Sequence, residues 1–433
     1  MNLYNLFKER VDEKMKITKK QKIIISLFVS LITLQILTCF ILQTYAYSNS
    51  YVWSSFSDLT TEVSNNLISN NTDDTSNSLN LDCGSCILIE QSTGQILYSY
   101  NSHEALYPAS VTKIMSIYLI MEAIQNGKIN YDTKIPCSEN AESMGGSQIW
   151  LTTTENLTVD EMLKAICVVS ANDCITALAE YIGGTEENFV NMMNEKAKEL
   201  GMNDTCFKNC HGIDEDGHVM SAYDIAILSR ELLNKYPEIT KYTTIYMDSL
   251  RDGKSSLVNT NKLVRTYSGC TGLKTGSTSK ALYNLSASAT RDGLSLIAVV
   301  MKAPTSKLRF SNASSLLDYG FTNFEFKVLA NANDKVKEVN INKGTTSQLN
   351  AIYQDNCGTI IQKGNDVNID KKISLKDSIN APISKGDVIG NVEFTLNDQT
   401  IATTPIISDT DVPKLNLITM STSVLKNWFK LLR

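Results

Sequence analysis

Three short motifs, far apart but in a fixed order, constrain this chain more than any other feature: Ser110-Val111-Thr112-Lys113, Ser170-Ala171-Asn172 and Lys274-Thr275-Gly276. Each alone is weak. Ser110 reads as a helix cap and Lys113 as a solvated lysine. Ser170 and Asn172 read as a helix-weakening pair inside a helical zone, and Lys274-Thr275-Gly276 as a turn ahead of a strand. Together they supply the parts of a nucleophilic site. Ser110 and Lys113, at i and i+3, share a helix face. A serine hydroxyl is a poor nucleophile until a base takes its proton. A lysine does that only when neutral, and burial or a second cation lowers its pKa. Lys274 fits as that cation and as a holder for a substrate carboxylate. Ser170 fits as a proton relay to a leaving amine. Asn172 fits as a clamp on the lysine and on a substrate amide. The backbone N–H groups of Ser110 and Ser277 fit as an oxyanion hole.

The chain has 433 residues, 20% of them charged, and a net charge of -6. That balance argues against nucleic acid as a partner, which needs a basic face. Residues 1–22 are a basic segment carrying Lys14, Lys16, Lys19, Lys20 and Lys22. They precede Ile23 to Leu42, twenty uncharged residues, the length that spans a bilayer. The lysines predict a cytoplasmic N-terminus and an exported remainder at the outer face of the cytoplasmic membrane. Two readings of the signal or transmembrane segment 23–46 stay open: cleavage after Thr44-Tyr45-Ala46, or retention as an anchor. Residues 47–80, rich in Ser, Thr, Asn and Asp, read as a polar linker.

From 81 to 321 strands flank a helical middle, the pattern of a sheet with helices packed on it. ILIEQSTGQILYSY and the runs around Arg291-Asp292-Gly293 read as hairpins. Helical zones follow Ser110, span Leu157 to Tyr181 and run from Glu187 to Leu200. From 322 to 410 short β-rich runs separated by Gly, Asn and Asp predict a small all-β domain. From 411 to 433 an amphipathic helix is expected, with Leu417, Val424, Leu425, Trp428, Phe429 and Leu432 on one face and Lys426, Lys430 and Arg433 elsewhere, suited to a membrane interface.

The ten cysteines include Cys39 in the apolar run. The nine beyond it cannot all pair within one chain. Cys83 and Cys86 form a C-x-x-C without a second such pair, and the three histidines, His103, His211 and His218, form no His-Glu-x-x-His. No Gly-x-Ser-x-Gly elbow is present. No metal and no cofactor is expected.

The ordered motifs match the set found in penicillin-binding proteins and class A β-lactamases. Over Ile87 to Phe321 the chain resembles the serine D-alanyl-D-alanine carboxypeptidases, the low-molecular-mass penicillin-binding proteins. The likeness includes TGQILYSYN, YPASVTKIM, GGSQIWL, VSANDCITALAE, FKNCHGIDEDGH, KTGSTSKA and SASATRDGLSLIAVVM. It implies an α/β penicillin-recognising domain with a helical subdomain, followed by a small all-β sandwich domain. It implies removal of the terminal D-Ala from peptidoglycan pentapeptides through an acyl-Ser110 intermediate, and acylation of that serine by β-lactams. Ser110, Lys113 and Ser170 would be catalytic, and Asn172, Lys274, Thr275, Gly276 and Ser277 would bind substrate. Two departures stand out: Cys210 where the family usually has proline before His-Gly, and Leu282 and Asn284 in Ala281-Leu282-Tyr283-Asn284. A transpeptidase, an endopeptidase, a β-lactamase using Glu187 and Asn191, and a non-catalytic wall-binding protein are the alternatives.

Overall fold

The computed structural model describes residues 78–416, apart from 365–367 and 397. The apolar run at 23–42, the linker up to residue 77 and the chain from 417 lie outside them. Among the described residues no helix is long and apolar enough to cross a membrane.

Five antiparallel strands make the central sheet: β1 (Ser85–Glu90), β2 (Ile96–Tyr100), β3 (Cys270–Thr278), β4 (Leu282–Arg291) and β5 (Leu294–Ala303), in the order β2-β1-β5-β4-β3. Side chains alternate across a strand. Ile87, Ile89, Ile297, Val299 and Met301 therefore enter one core, while Cys86, Leu88, Leu296, Ala298 and Val300 enter another. Burial on both faces explains why these strands read as unbroken apolar runs. Both expected hairpins form. In the first, the Glu90 carboxylate accepts the Ser92 and Thr93 N–H groups at 2.9 and 2.6 Å. In the second, Asp292 and Gly293 both take positive φ, 49° and 81°, as a two-residue turn between twisted strands requires.

The helical middle covers one face of the sheet. A 3-10 turn at Ala109–Thr112 runs into α1 (Lys113–Gln125), which is buried on nearly every side and so carries apolar residues all round. Then come α2 (Val159–Val169), α3 (Asn172–Gly183), α4 (Glu186–Glu199) and α5 (Ala222–Lys235). A reciprocal capping box between Thr158 and Glu161 starts α2. On the other face α6 (Ser306–Asn323) packs Leu316 and Leu317 against Leu88 and Leu296.

Two expectations need correction. Ser170-Ala171-Asn172 does not lie inside a helix. Ser170 caps the end of α2 in the left-handed region (φ 66°), and α3 begins at Asn172, whose N–H is turned to the Ser147 carbonyl at 2.7 Å. Lys274-Thr275-Gly276 is not a turn ahead of a strand but the middle of β3. There Lys274, Thr275 and Gly276 pair with Ser286, Leu285 and Asn284.

The second domain is all-β. Its strands are β6 (Phe324–Ala330), β7 (Lys335–Asn342), β8 (Gln348–Tyr353), β9 (Cys357–Gln362), β10 (Asp370–Leu375), β11 (Ser378–Asn380), β12 (Val388–Leu396) and β13 (Gln399–Ser408). Six form a sheet in the order β10-β12-β13-β8-β7-β11, around a core that includes Val339, Leu349, Val392, Phe394 and Ile406. The other two, β6 and β9, form a ribbon whose Phe324 and Ile360 join the core beneath α6. The terminal helix was expected from residue 411, but residues 412–415 still belong to this domain. Val412 and Lys414 bridge to Ile383 and Gly344, and the Leu415 N–H bonds the Lys343 carbonyl at 2.7 Å. The rest of that expected helix lies outside the described residues.

Candidate active site

Ser110 sits on the 3-10 turn that opens onto α1, half-buried, so its hydroxyl remains reachable. Lys113, one turn on, is fully buried. Its Nζ lies 3.0 Å from Ser110 Oγ, 2.7 Å from Asn172 Oδ1 and 2.7 Å from the His211 carbonyl. An ammonium has three hydrogens and fills all three contacts. A neutral amine has two hydrogens and one lone pair. An amide oxygen and a carbonyl only accept, so the two hydrogens go to Asn172 and His211. The lone pair is then left facing Ser110, where the hydroxyl can donate its proton. Burial, and next the charge of Lys274, hold the Lys113 pKa well below its ordinary value, which favours that neutral form.

Asn172 is itself fixed. Its Nδ2 donates to the Gly145 carbonyl at 2.6 Å, and this assigns Oδ1 to the lysine. The next residue, buried Asp173, accepts the N–H groups of Ile149 and Leu151, both at 3.0 Å. The GGSQIWL loop is thus tied to the second motif at several points. Ser170, two residues before Asn172, has a buried Oγ with no hydrogen-bond partner among the described residues. A buried hydroxyl without a partner is costly.

The third motif closes the site from β3. A Cβ on Gly276 would meet the Pro108 carbonyl oxygen at 2.8 Å and the nitrogens of Ser110 and Val111 at 3.0 Å. Only glycine lets the strand lie this close to the nucleophile's turn. Behind the turn, a Cβ on Gly212 would meet the Ala109 carbonyl oxygen at 1.9 Å, and Gly212 has φ +93°. Between these two glycines Ala109 is held at φ 51°. Lys274 is buried, and burial lowers its pKa to about 7. Thr275 Oγ1 donates to Thr260 Oγ1 at 2.8 Å. Ser277 is exposed, next to Gly276 and across from Tyr283. The structure therefore bonds Ser110, Lys113 and Asn172 directly. It sets Gly276 against the nucleophile's backbone and brings Lys274 within electrostatic reach of Lys113. Ser170 is placed at the break beside Asn172.

Sequence reasoning missed several residues that hold these parts. Arg309 on α6 is buried and donates to the carbonyls of Gly276 and Asn284 at 3.1 and 3.2 Å. Asn284 in turn donates to the Tyr107 carbonyl at 2.8 Å, so the departure at this position ties β4 to the nucleophile's segment. Leu282, the other departure, takes φ 55° after the β3 turn. His218 accepts the Lys208 N–H on Nδ1 at 2.9 Å, which leaves Nε2–H to donate to Thr112 Oγ1 at 2.7 Å. Glu186 was passed over in favour of its neighbour Glu187. Glu187 is exposed in the first turn of α4, while Glu186 Oε1 accepts the Cys210 N–H at 3.3 Å.

A reachable serine paired with a buried lysine, with an amide clamp and a second buried lysine, on an antiparallel sheet flanked by helices, defines a serine acyl-transfer enzyme of the penicillin-recognising fold. A family profile described as D-alanyl-D-alanine carboxypeptidase matches residues 71–305, and one described as penicillin-binding protein 5, C-terminal domain, matches 324–414. The D-alanyl-D-alanine carboxypeptidase DacF of Bacillus subtilis is 45% identical over 350 residues, 80% of this chain and 90% of that one. Penicillin-binding protein 5 from Haemophilus influenzae superposes with a TM-score of 0.65 at 31% identity, covering 77% of this chain and 98% of that one. Penicillin-binding protein D2 from Listeria monocytogenes, in its ampicillin-bound form, is 30% identical with a TM-score of 0.52, covering 56% of this chain and 99% of that one. This chain belongs to the D-alanyl-D-alanine carboxypeptidase family and is a serine-type D-alanyl-D-alanine carboxypeptidase with a penicillin-binding fold.

Proposed function

We propose that Ser110 is the nucleophile that removes the terminal D-Ala from peptidoglycan pentapeptides, with Lys113 as its base. The observation that carries this reading is the set of acceptors around Lys113, which turns the neutral amine's lone pair to Ser110. The Ser110 proton passes to Lys113 as Oγ bonds the carbonyl carbon of the penultimate D-Ala. The backbone N–H groups of Ser110 and Ser277 receive the developing oxyanion. Collapse breaks the C–N bond, and Ser170 hands the proton from Lys113 to the departing D-Ala amine. Water then opens the acyl ester and restores Ser110. Lys274, with Thr275 and Ser277 beside it, holds the terminal carboxylate, and Asn172 holds the substrate amide. β-Lactams acylate the same serine.

The work site is the outer face of the cytoplasmic membrane. The lysine-flanked apolar run Ile23 to Leu42 and the basic amphipathic pattern from Leu417 support export and membrane association. The test is D-alanine release from a muropeptide pentapeptide by the full chain and by Ser110→Ala. Release that disappears in the variant establishes the nucleophile. Release that survives in it removes Ser110 from that role.

A further inference from the structure

The third acceptor of Lys113 is a main-chain atom, the His211 carbonyl, so whatever holds residues 209–213 also aims the base. Most of that hold is local. Asn209 Oδ1 accepts the Gly212 N–H at 2.7 Å, and His211 Nδ1 accepts the Ile213 N–H at 3.1 Å. From α1, Ser116 Oγ donates to the Cys210 carbonyl at 2.6 Å. A further contact comes from α4: Glu186, its first residue, takes the buried Cys210 N–H on Oε1. The same oxygen lies 3.6 Å from His211 Nε2. Since Nδ1 already accepts, the neutral ring carries its hydrogen on Nε2, the side that faces Glu186. Burial, and then Lys113, push the His211 pKa down to about 3, so this is a neutral ring beside a carboxylate and not an ion pair. The carboxylate sits at a helix N-terminus, where its negative charge is favoured.

We propose that Glu186 is a positioning residue for the base. By taking the Cys210 N–H and facing His211 Nε2, it fixes the carbonyl that keeps the Lys113 lone pair on Ser110. The inference rests on reading Lys113 as the base. Glu186 makes no hydrogen bond to Ser110 or Lys113 among the described residues and acts only through residues 210 and 211.

The experiment measures Ser110 acylation by benzylpenicillin across pH, using the full chain. Glu186→Ala is expected to slow acylation about tenfold, the effect of one lost buried hydrogen bond. Glu186→Gln is expected to stay near wild type, because its amide oxygen still accepts from Cys210. A proline at 210 has no N–H to satisfy, so adding Glu186→Ala to Cys210→Pro is expected to slow acylation less than it does with Cys210 in place, since only the approach to His211 Nε2 is then lost. Loosening the loop also admits water to Lys113 and raises its pKa. The groups facing it are Lys274 on β3, Asp173 on α3, and Cys210 and His211 on the loop. The rising limb of the pH profile is therefore expected to move to higher pH in Glu186→Ala. Wild-type rates in Glu186→Ala, failure of glutamine to rescue, or equal slowing in the proline background would overturn the proposal. If Cys210→Pro does not fold, the alanine–glutamine comparison decides alone. Lys113→Ala separates the two ideas. Normal acylation there removes the base reading itself, whereas a dead Lys113→Ala beside a normal Glu186→Ala removes only the positioning role.

Discussion

Two buried lysines lie within electrostatic reach of each other, and in the proposed mechanism they make the pH behaviour specific. In the proposed mechanism Lys113 works neutral, so acylation is expected to rise with pH through its lowered pKa. Lys274, when charged, holds the Lys113 pKa down, in the proposed mechanism also meets the substrate carboxylate, and has its own pKa lowered to about 7. A profile of kcat/KM reports the free enzyme, so it should be bell-shaped with a falling limb that begins near pH 7. Lys274→Arg keeps the charge at every accessible pH and is expected to abolish that falling limb. A limb that persists in the arginine variant would have another source. The same shift acts on stability. Between about 7 and 10.5 the unfolded chain holds a proton on residue 274 that the folded chain has lost, so unfolding free energy rises with pH across that window. Urea titrations of wild type and Lys274→Met at several pH values check this: the variant should lose the part of the slope that belongs to Lys274.

The strands and helices deliver these residues through close backbone approaches, and this is where the sequence was only partly legible. The hairpins at Ser92–Gly94 and Asp292–Gly293 and the buried α1 were readable because local turn chemistry and apolar runs agree with the fold. The break at Ser170 was not. Apolar residues continue through α2 and α3, so periodicity sees one helix. The left-handed Ser170 is instead maintained by a tertiary contact, the Asn172 N–H on the Ser147 carbonyl. Glu186 was hidden differently. It and Glu187 are both acids in a first helical turn, and only the returning segment at Cys210 tells them apart. Gly276 was legible as part of a motif, but its reason is spatial. Gly276→Ala puts a methyl against three backbone atoms of residues 108–111 that cannot swing aside. Overpacking of this kind costs about 1–3 kcal/mol. The variant is expected to lower the midpoint of thermal unfolding and to slow acylation together, since the displaced atoms include the Ser110 nitrogen. Wild-type acylation in a folded Gly276→Ala protein would show that the strand yields instead.

At the scale of the whole molecule, the β domain is joined to the catalytic domain by packing as well as by the chain. The ribbon of β6 and β9 sends Phe324 and Ile360 into the core that α6 shares with the central sheet, and Lys363 bonds the Phe321 carbonyl at the end of α6. The base of the catalytic domain is therefore held by the domain that carries the chain's end. That end, from Leu417, has the basic amphipathic pattern of an interfacial helix, and the other end has the apolar run before a polar linker. If residues 23–42 are the tether, the polar linker that follows, at up to about 3.4 Å per residue when extended, sets the reach. If the segment from Leu417 is the tether, no such linker precedes it, and the reach is expected to be shorter. The two tethers thus predict different reaches, and deletion of residues 417–433 distinguishes them in cells. With the N-terminal segment cleaved, the truncated protein is expected to leave the membrane fraction while keeping full activity on soluble pentapeptide, because residues 412–415 still close the β domain. Continued membrane association after the deletion would assign the tether to Ile23–Leu42 instead, and with it the longer reach.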